Sequence, residues 1–426
     1  MPSQHTNSYY AATAIGQIDF PVLDTNQDCD VCVIGGGFTG LSSALHLAER
    51  GYKVILIEGE RVGWGASGRN GGLVCTGQRH SPDTLEEMMG YDAAKLLWDI
   101  AEEAKATQQG LIKKHNIACD YRPGMFMGAH KPRTFPDLVA HAESLTHKWG
   151  YKDIEVLEKP ALRELLRSDA YHGGVYDKGA GHLHPLNYAL GLARAAKDAG
   201  VQIFENTRAL ALDKKISGNL VKCEKGDVTA KYIVLACNGY LGRFDKRLAP
   251  QIMPINNFML ATEVLGEDAC KDLIANGAAA DDTKFVVNYY RCSADNRLLF
   301  GGGEKYSSKF PKDIKRFVRK YMLEVFPQLK DVALEYGWGG AVAVTMNRLP
   351  SIGSMDGNVI YAHGFSGQGL LLTTQVGKLI AEVIAGQAER FDAMANIPTP
   401  NFPGGTLLRY PGLVAGMLYY TLKDRL

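Results

Sequence analysis

No uncharged apolar run in this 426-residue chain approaches the ~18 residues that a membrane-spanning helix requires, so no transmembrane segment is expected. Neither sign of charge is in excess: 47 Lys and Arg face 46 Asp and Glu, for a net charge of +1. Without a basic stripe or an acidic tail there is no electrostatic footprint for nucleic acid. The N-terminal stretch lacks the basic start and apolar core of a signal peptide, so a cytoplasmic location is expected. Cysteine is sparse and scattered, at positions 29, 32, 75, 119, 223, 237, 270 and 292. The only C-x-x-C, Cys29 to Cys32, runs into an apolar strand, where residues three apart point to opposite faces. Neither a redox pair nor a zinc knuckle is built that way, and no metal is expected. Internal repeats and low-complexity tracts are lacking too. The length exceeds the ~250 to 300 residues at which a single core stops growing, so two domains are expected.

What is present, first, is a βαβ unit over residues 31 to 58. Val31 to Ile34 is a short apolar run suited to a buried parallel strand, and Gly35-x-Gly37-x-x-Gly40 follows at once. It opens a helix whose apolar face is Leu41, Ala44, Leu45 and Ala48, and Gly51 ends that helix. Gly35 permits the tight turn, Gly37 lets backbone approach a pyrophosphate, and Gly40 lets the helix pack close to the strand; the helix N-terminus adds N–H donors and positive dipole. Val54 to Ile57 is the second strand, and Glu58 lies 18 residues beyond Gly40, where a carboxylate accepts from both hydroxyls of an adenosine ribose. No second G-x-G-x-x-G follows a strand, so there is no second nucleotide site of the kind a nicotinamide-linked reductase would need.

Further along, residues 81 to 115 read as a helix, 119 to 129 as a turn and strand, and 134 to 149 as an amphipathic helix. A helix is expected over 186 to 199, then a strand near 201 to 206 and another ending at Gly239. His182 and His184 are read as turn residues before the Pro185 helix, because no third ligand is spaced with them. Residues 251 to 330 alternate apolar and polar, with strands at 285 to 292 and 297 to 303 forming a hairpin around 293 to 296, and 313 to 326 is an amphipathic helix. The fold class is therefore α/β and α+β: a Rossmann-type nucleotide-binding domain with an inserted antiparallel-sheet substrate domain. The nucleotide domain is assigned to 26–80, 151–250 and 331–400, and the substrate domain to 81–150 and 251–330. For the apolar tail, 401–426, docking on the body, an interface and contact with a membrane surface all stay open.

A second glycine-dense loop, 61 to 73, follows the second strand, so its backbone must pass close to something bulky. This Gly65-Ala66-Ser67-Gly68-Arg69-Asn70-Gly71-Gly72 stretch resembles the loop of the D-amino-acid oxidase-like flavoproteins, where it wraps FAD and reaches the flavin ring. The sequences at 8–12, 119–124, 182–187, 289–303 and 390–396 resemble a narrower group, the bacterial γ-glutamylputrescine oxidases and their amine-oxidising relatives. The resemblance covers nearly the full length. It implies FAD contacts from Gly35, Gly37, Phe38, Thr39 and Gly40; from Glu58, Gly59 and Arg61; and from Gly65, Ala66, Ser67, Gly68, Arg69, Asn70, Gly71, Gly72 and Leu73. It further implies Ala209, on a strand near 206 to 210, beside the adenine; Asn238 and Gly239 over the dinucleotide; Trp338 and Gly340; and Gly364, Ser366, Gly367, Gln368, Gly369 and Leu370 before a helix whose N-terminus faces flavin O2.

The chemistry so implied is oxidation of a C–N bond by hydride transfer to flavin N5, giving an imine that water hydrolyses to an aldehyde. The expected partners are a small-molecule amine and an electron acceptor, O2 or a quinone-like molecule. Non-covalent FAD is expected, because relatives that tether the flavin do so through a cysteine near 337 to 345, a stretch without one here. In glycine- and D-amino-acid-oxidising relatives that stretch reads WxGxRP, and its arginine grips the substrate carboxylate. Here the position is Val342. A polyamine-type substrate, γ-glutamylated or not, is therefore expected, with oxidation of a small amino acid as the alternative. Tyr290, Trp338 and Phe365 are candidates for an aromatic wall, with plain core packing as the other reading. Arg291 is a candidate for a distant carboxylate, with an exposed strand charge as its alternative. A non-enzymatic flavin-binding protein is the competing class, against which the aromatic-rich strand argues, having no evident purpose without a ligand.

Overall fold

The computed structural model describes residues 3–215, 218–305, 309–356, 358–409 and Pro411. One sheet has the strand order Ser351–Met355, Val359–His363, Val228–Leu235, Gln27–Ile34, Val54–Ile57 and Gln202–Phe204, and the hairpin Ala211–Lys215/Gly218–Lys222 extends it from Val228–Leu235. Its central pairings are parallel. Val31 to Ile34 and Val54 to Ile57 are buried throughout, as continuous apolar runs require. Val31, Val33, Val54 and Leu56 point to the cluster beneath the helices Phe38–Ala48, Pro185–Asp198 and Leu370–Ile384, whereas Cys32, Ile34, Ile55 and Ile57 point to a cluster with Val221, Leu241 and Ile252. The first helix lies so close to its strand that a Cβ on Gly40 would stand 1.9 Å from the Gly35 carbonyl oxygen. Cys29 and Cys32 are separate free thiols, although both border the second cluster rather than facing opposite ways. Burial pushes both up, Cys29 to about 12, so neither is a poised nucleophile.

The second sheet runs Leu334–Val344, Met253–Thr262, Leu298–Lys305, Tyr289–Cys292, Ala279–Asp282, Arg122–Gly128, Gly173–His182 and Leu73–Val74, with Ile154–Glu158 beside Gly173–His182. All of its pairings are antiparallel except Ala279–Asp282 on Arg122–Gly128. The helix Ile314–Val325, whose N-cap Asp313 accepts from the Arg316 amide, packs on it through Val318 and Met322.

Several elements differ from the sequence reading. Ile154–Glu158, Gly173–His182 and Leu334–Val344, expected with the nucleotide-binding part, belong to the second sheet; the last pairs along its whole length with Met253–Thr262. Residues 81 to 115 form two helices, Pro82–Met89 and Tyr91–Lys114, because Gly90 takes φ +84 and ends the first. The strand expected from 285 begins at Tyr289, since Asp282 accepts from the Asn288 amide and side chain and draws the intervening residues into a loop. Residues 206 to 210 are irregular rather than a strand. The described part of the tail docks on the body: Phe402 N donates to Pro250 O at 2.9 Å, and Arg409 donates to Ala249 O and Ile252 O. Residues 410 and 412–426 lie outside the described residues.

Candidate active site

The glycine turn after the first strand carries the geometry its spacing predicts. Gly35 takes φ +115, and a Cβ there would meet Ala236 O at 2.7 Å. Gly37 precedes the helix without a side-chain cap of its own, and a Cβ on it would stand 2.9 Å from Ser67 Oγ. That hydroxyl accepts from Phe38 N at 3.0 Å, so the second glycine loop reaches back over the helix N-terminus. Glu58 is held across the turn, accepting from Gly36 N at 2.7 Å and Glu60 N at 2.8 Å. Burial pushes its pKa up and the two amides oppose that. Gly59 faces Arg208, next to Ala209, in the adjoining irregular segment. Arg61 turns instead to Asp19 at 2.5 Å and Glu205 at 3.3 Å and acts as a brace for the N-terminal segment.

The loop from Gly65 to Leu73 is built by its own side chains. Asn70 Nδ2 donates to Ala66 O and Ser67 O while its Oδ1 accepts from Gly72 N at 2.8 Å. Arg69 spans from Trp64 O at 2.7 Å to Gly339 O at 3.3 Å, which joins the loop to the strand Leu334–Val344. Gly68 packs against Gly63 O, where a Cβ would be 2.1 Å away. Asn238 Oδ1 accepts from Gly364 N at 2.9 Å, and Gly239 faces Ala341 and Ala343. Gln368 donates to Thr76 O and Gly77 O, anchoring the turn that leads through Gly369 into the helix from Leu370.

Between these parts lies a cavity of about 700 Å³. Phe38, Ala66, Ser67, Arg69, Asn70, Gly71, Leu73, Asn238 and Gly340 line it, as does the whole run from Phe365 to Leu370. Val342 also lines it, between Ala341 and Ala343. The volume, the narrow glycine approaches and the helix N-termini at Phe38 and Leu370 suit a flavin dinucleotide. Gly35, Gly37, Thr39, Gly40, Glu58, Gly59, Arg61, Ala209 and Gly239 are not among the residues that line it.

Of the aromatic candidates, Phe365 alone lines the cavity. Tyr290 is buried on the opposite face of its strand, donating to Tyr171 Oη at 2.9 Å and stacked on Phe300. Alternation puts Tyr289 in the cavity instead, its hydroxyl donating to Asn257 Oδ1. Trp338 is buried beneath the loop, where Nε1 donates to Arg69 O at 3.0 Å. Arg291 is neither an exposed strand charge nor a cavity group: it is 3% exposed and bonds Gly71 O and Tyr10 Oη. His184 caps its helix, Nδ1 accepting from Asn187 N at 3.1 Å, and His182 Nε2 contacts Gly277 O at 2.9 Å. Among the described residues no cluster of His, Cys, Asp or Glu would hold a metal, and no helix is long and apolar enough to cross a membrane. The sequence reading missed Tyr289, Asn257, Asp281 and Arg79, all in the cavity wall. Strand alternation could have exchanged Tyr290 for Tyr289; nothing local distinguishes Asp281 from its neighbour Asp282.

Residues 30–383 match the family described as FAD dependent oxidoreductase. The chain belongs to this family. FAD is thus its cofactor and redox chemistry its activity. It is 42% identical over 425 residues to the gamma-glutamylputrescine oxidoreductase of Escherichia coli (strain K12), covering 100% of this chain and 99% of that protein. The solved glycine oxidase of Geobacillus kaustophilus shares the fold with a TM-score of 0.76 at 20% identity, covering 89% of this chain and 100% of that one. L-proline dehydrogenase from P. horikoshii does so with a TM-score of 0.73 at 19% identity, over 86% and 96%.

Proposed function

We propose that this oxidoreductase acts on an aliphatic amine of the polyamine type, including its γ-glutamylated form. The observation that carries the reading is Val342 in the cavity wall, flanked by Ala341 and Ala343 and paired with Ile255, at the position where the resemblance places the carboxylate-gripping arginine of amino-acid oxidising relatives. An α-carboxylate against this apolar strand would lose its hydration without gaining a partner, at a cost of roughly several kcal/mol. An amine with a methylene beside its nitrogen carries no such penalty. The 42% identical relative named for γ-glutamylputrescine supports the same class.

When bound, FAD supplies the hydride acceptor for the carbon beside the amine nitrogen, and water hydrolyses the resulting imine. The chain's own residues do the rest. Ser67, Asn70 and the Gly65 to Leu73 backbone would hold the cofactor from one side, Gly340 and Gly364 to Gly369 from the other, without a covalent bond. The N-terminus of the helix Leu370–Ile384 would offer N–H donors and positive dipole to the negative charge that the flavin gains on reduction. Phe365, Tyr289 and Val342 would enclose the aliphatic part of the substrate. An anaerobic screen of amines and amino acids for bleaching of the flavin band, followed by admission of air, tests the reading and identifies whether O2 is the acceptor. Bleaching by amino acids alone would overturn it.

A further inference from the structure

An acidic and a basic side chain in the cavity wall are left without partners. Asp281 lies on the strand Ala279–Asp282 and lines the cavity, and its buried Oδ1 has no hydrogen-bond partner among the described residues. Arg79 lines the same cavity, and among the described residues it makes no hydrogen bond or ion pair. The two do not pair with each other, yet they are near enough that the Arg79 charge acts on the Asp281 carboxyl. Asp281 Oδ1 is cut off from solvent without a hydrogen bond in return, and the half-buried Arg79 beside it has no partner to offset what hydration it loses. Such a gap is what a ligand carrying both signs of charge would fill.

Position in the sheet adds the second argument. The strand of Asp281 stands four places from the strand of Val342, with Met253–Thr262, Leu298–Lys305 and Tyr289–Cys292 between them. At ~4.8 Å per strand that is roughly 19 Å, more than a small amino acid spans. The charged pair therefore serves a part of the substrate remote from the wall at Val342. Tyr289, which pairs with Asp281 across neighbouring strands, lines the stretch between.

We infer that Asp281 and Arg79 form a subsite for a zwitterionic α-amino-acid head at the far end of the amine, Asp281 taking its ammonium and Arg79 its carboxylate. The inference rests on the amine reading above and narrows it to γ-glutamylated amines. Burial, the largest influence, and the neighbouring Asp282 push the Asp281 pKa well above the usual carboxylate range, while Arg79 opposes them. A bound ammonium adds the counter-charge that favours the ionised form.

The test uses the FAD-loaded full chain and three substrates: γ-glutamylputrescine, putrescine, and N-glutarylputrescine, which keeps the carboxylate but lacks the α-ammonium. The expected result is that the wild-type kcat/KM for γ-glutamylputrescine exceeds that for putrescine by about tenfold or more, and that Arg79→Met and Asp281→Asn each collapse this ratio toward one. Asp281→Asn should also erase the preference for the γ-glutamyl over the glutaryl compound, whereas Arg79→Met should lower both. The conservative Arg79→Lys should retain part of the ratio. Flavin content and circular dichroism verify each variant, and the wild-type comparison of γ-glutamyl with glutaryl substrate stands even if a variant does not fold. Unchanged ratios in the folded variants, or a wild type indifferent to the α-ammonium, overturn the subsite while leaving the amine reading intact. A wild type that bleaches with none of the three overturns both.

Discussion

Arg291 Nε donates to the carbonyl of Gly71 at 2.9 Å, from a side chain whose Nη2 also reaches Tyr10 Oη at 3.3 Å. A buried guanidinium thus fastens the glycine loop to the second sheet, and among the described residues it pairs with no carboxylate. Arg291→Met would leave the Gly71 carbonyl buried without its charged donor. A loss of ~2 kcal/mol of stability and a lower FAD content per chain are expected, checked by thermal unfolding and by flavin absorbance after desalting. Unchanged occupancy and Tm would show that the loop holds itself.

Gly37→Val should yield a folded but colourless protein. Its Cβ would lie 2.9 Å from Ser67 Oγ, so the hydroxyl that accepts from Phe38 N must move and the approach to the helix N-terminus closes. Gly40→Ala is harsher, because its Cβ would meet backbone at 1.9 Å. That variant should lose soluble expression, whereas Gly37→Val should keep its circular dichroism.

Acid precipitation should release the flavin into the supernatant. Residues 337 to 345 contain no cysteine. Cys75 lines the cavity, but its thiol faces Met125 Sδ at 3.9 Å and burial pushes its pKa far up, which keeps it from attacking as a thiolate. Yellow colour remaining on the precipitated chain would contradict this.

Stability should fall on acidification below about pH 6.5. Burial lowers His182 and His184 to about 3 and His363 to about 4, from the ordinary histidine value of 6.5. Between those values the unfolded chain binds more protons than the folded one, so stability is complete above the unfolded pKa and is lost as pH drops. At pH 5 each histidine accounts for ~2 kcal/mol. His363→Gln should flatten the decline in Tm between pH 7 and 5; an identical slope would assign the acid sensitivity elsewhere.

The nucleotide half of the fold was legible because its signals are local. The strand from Val31, the turn at Gly35 to Gly40 and the acid at Glu58 are neighbours in sequence, and the turn at Gly35 and the close packing at Gly40 are what the spacing alone identifies. The helix expected over 313 to 326 and the hairpin around 293 to 296 were equally local. The substrate side was not legible in the same way. Leu334–Val344 was grouped with the nucleotide-binding part because its pairing partner in the second sheet, Met253–Thr262, is some eighty residues away. Tyr290 was chosen over Tyr289 because the face of a strand depends on which side meets the cavity, and Asp281 and Arg79 meet there only through tertiary structure. Arg291 was read as a carboxylate ligand or an exposed strand charge because its partners, Gly71 and Tyr10, are 220 and 281 residues distant in sequence.

The most direct test of the account is a steady-state comparison of putrescine, γ-glutamylputrescine, sarcosine and D-alanine with the FAD-loaded enzyme. With Val342 in place of a guanidinium, the better amine should exceed both amino acids in kcat/KM by ~100-fold or more. Sarcosine or D-alanine turned over as efficiently as the better amine would contradict the account.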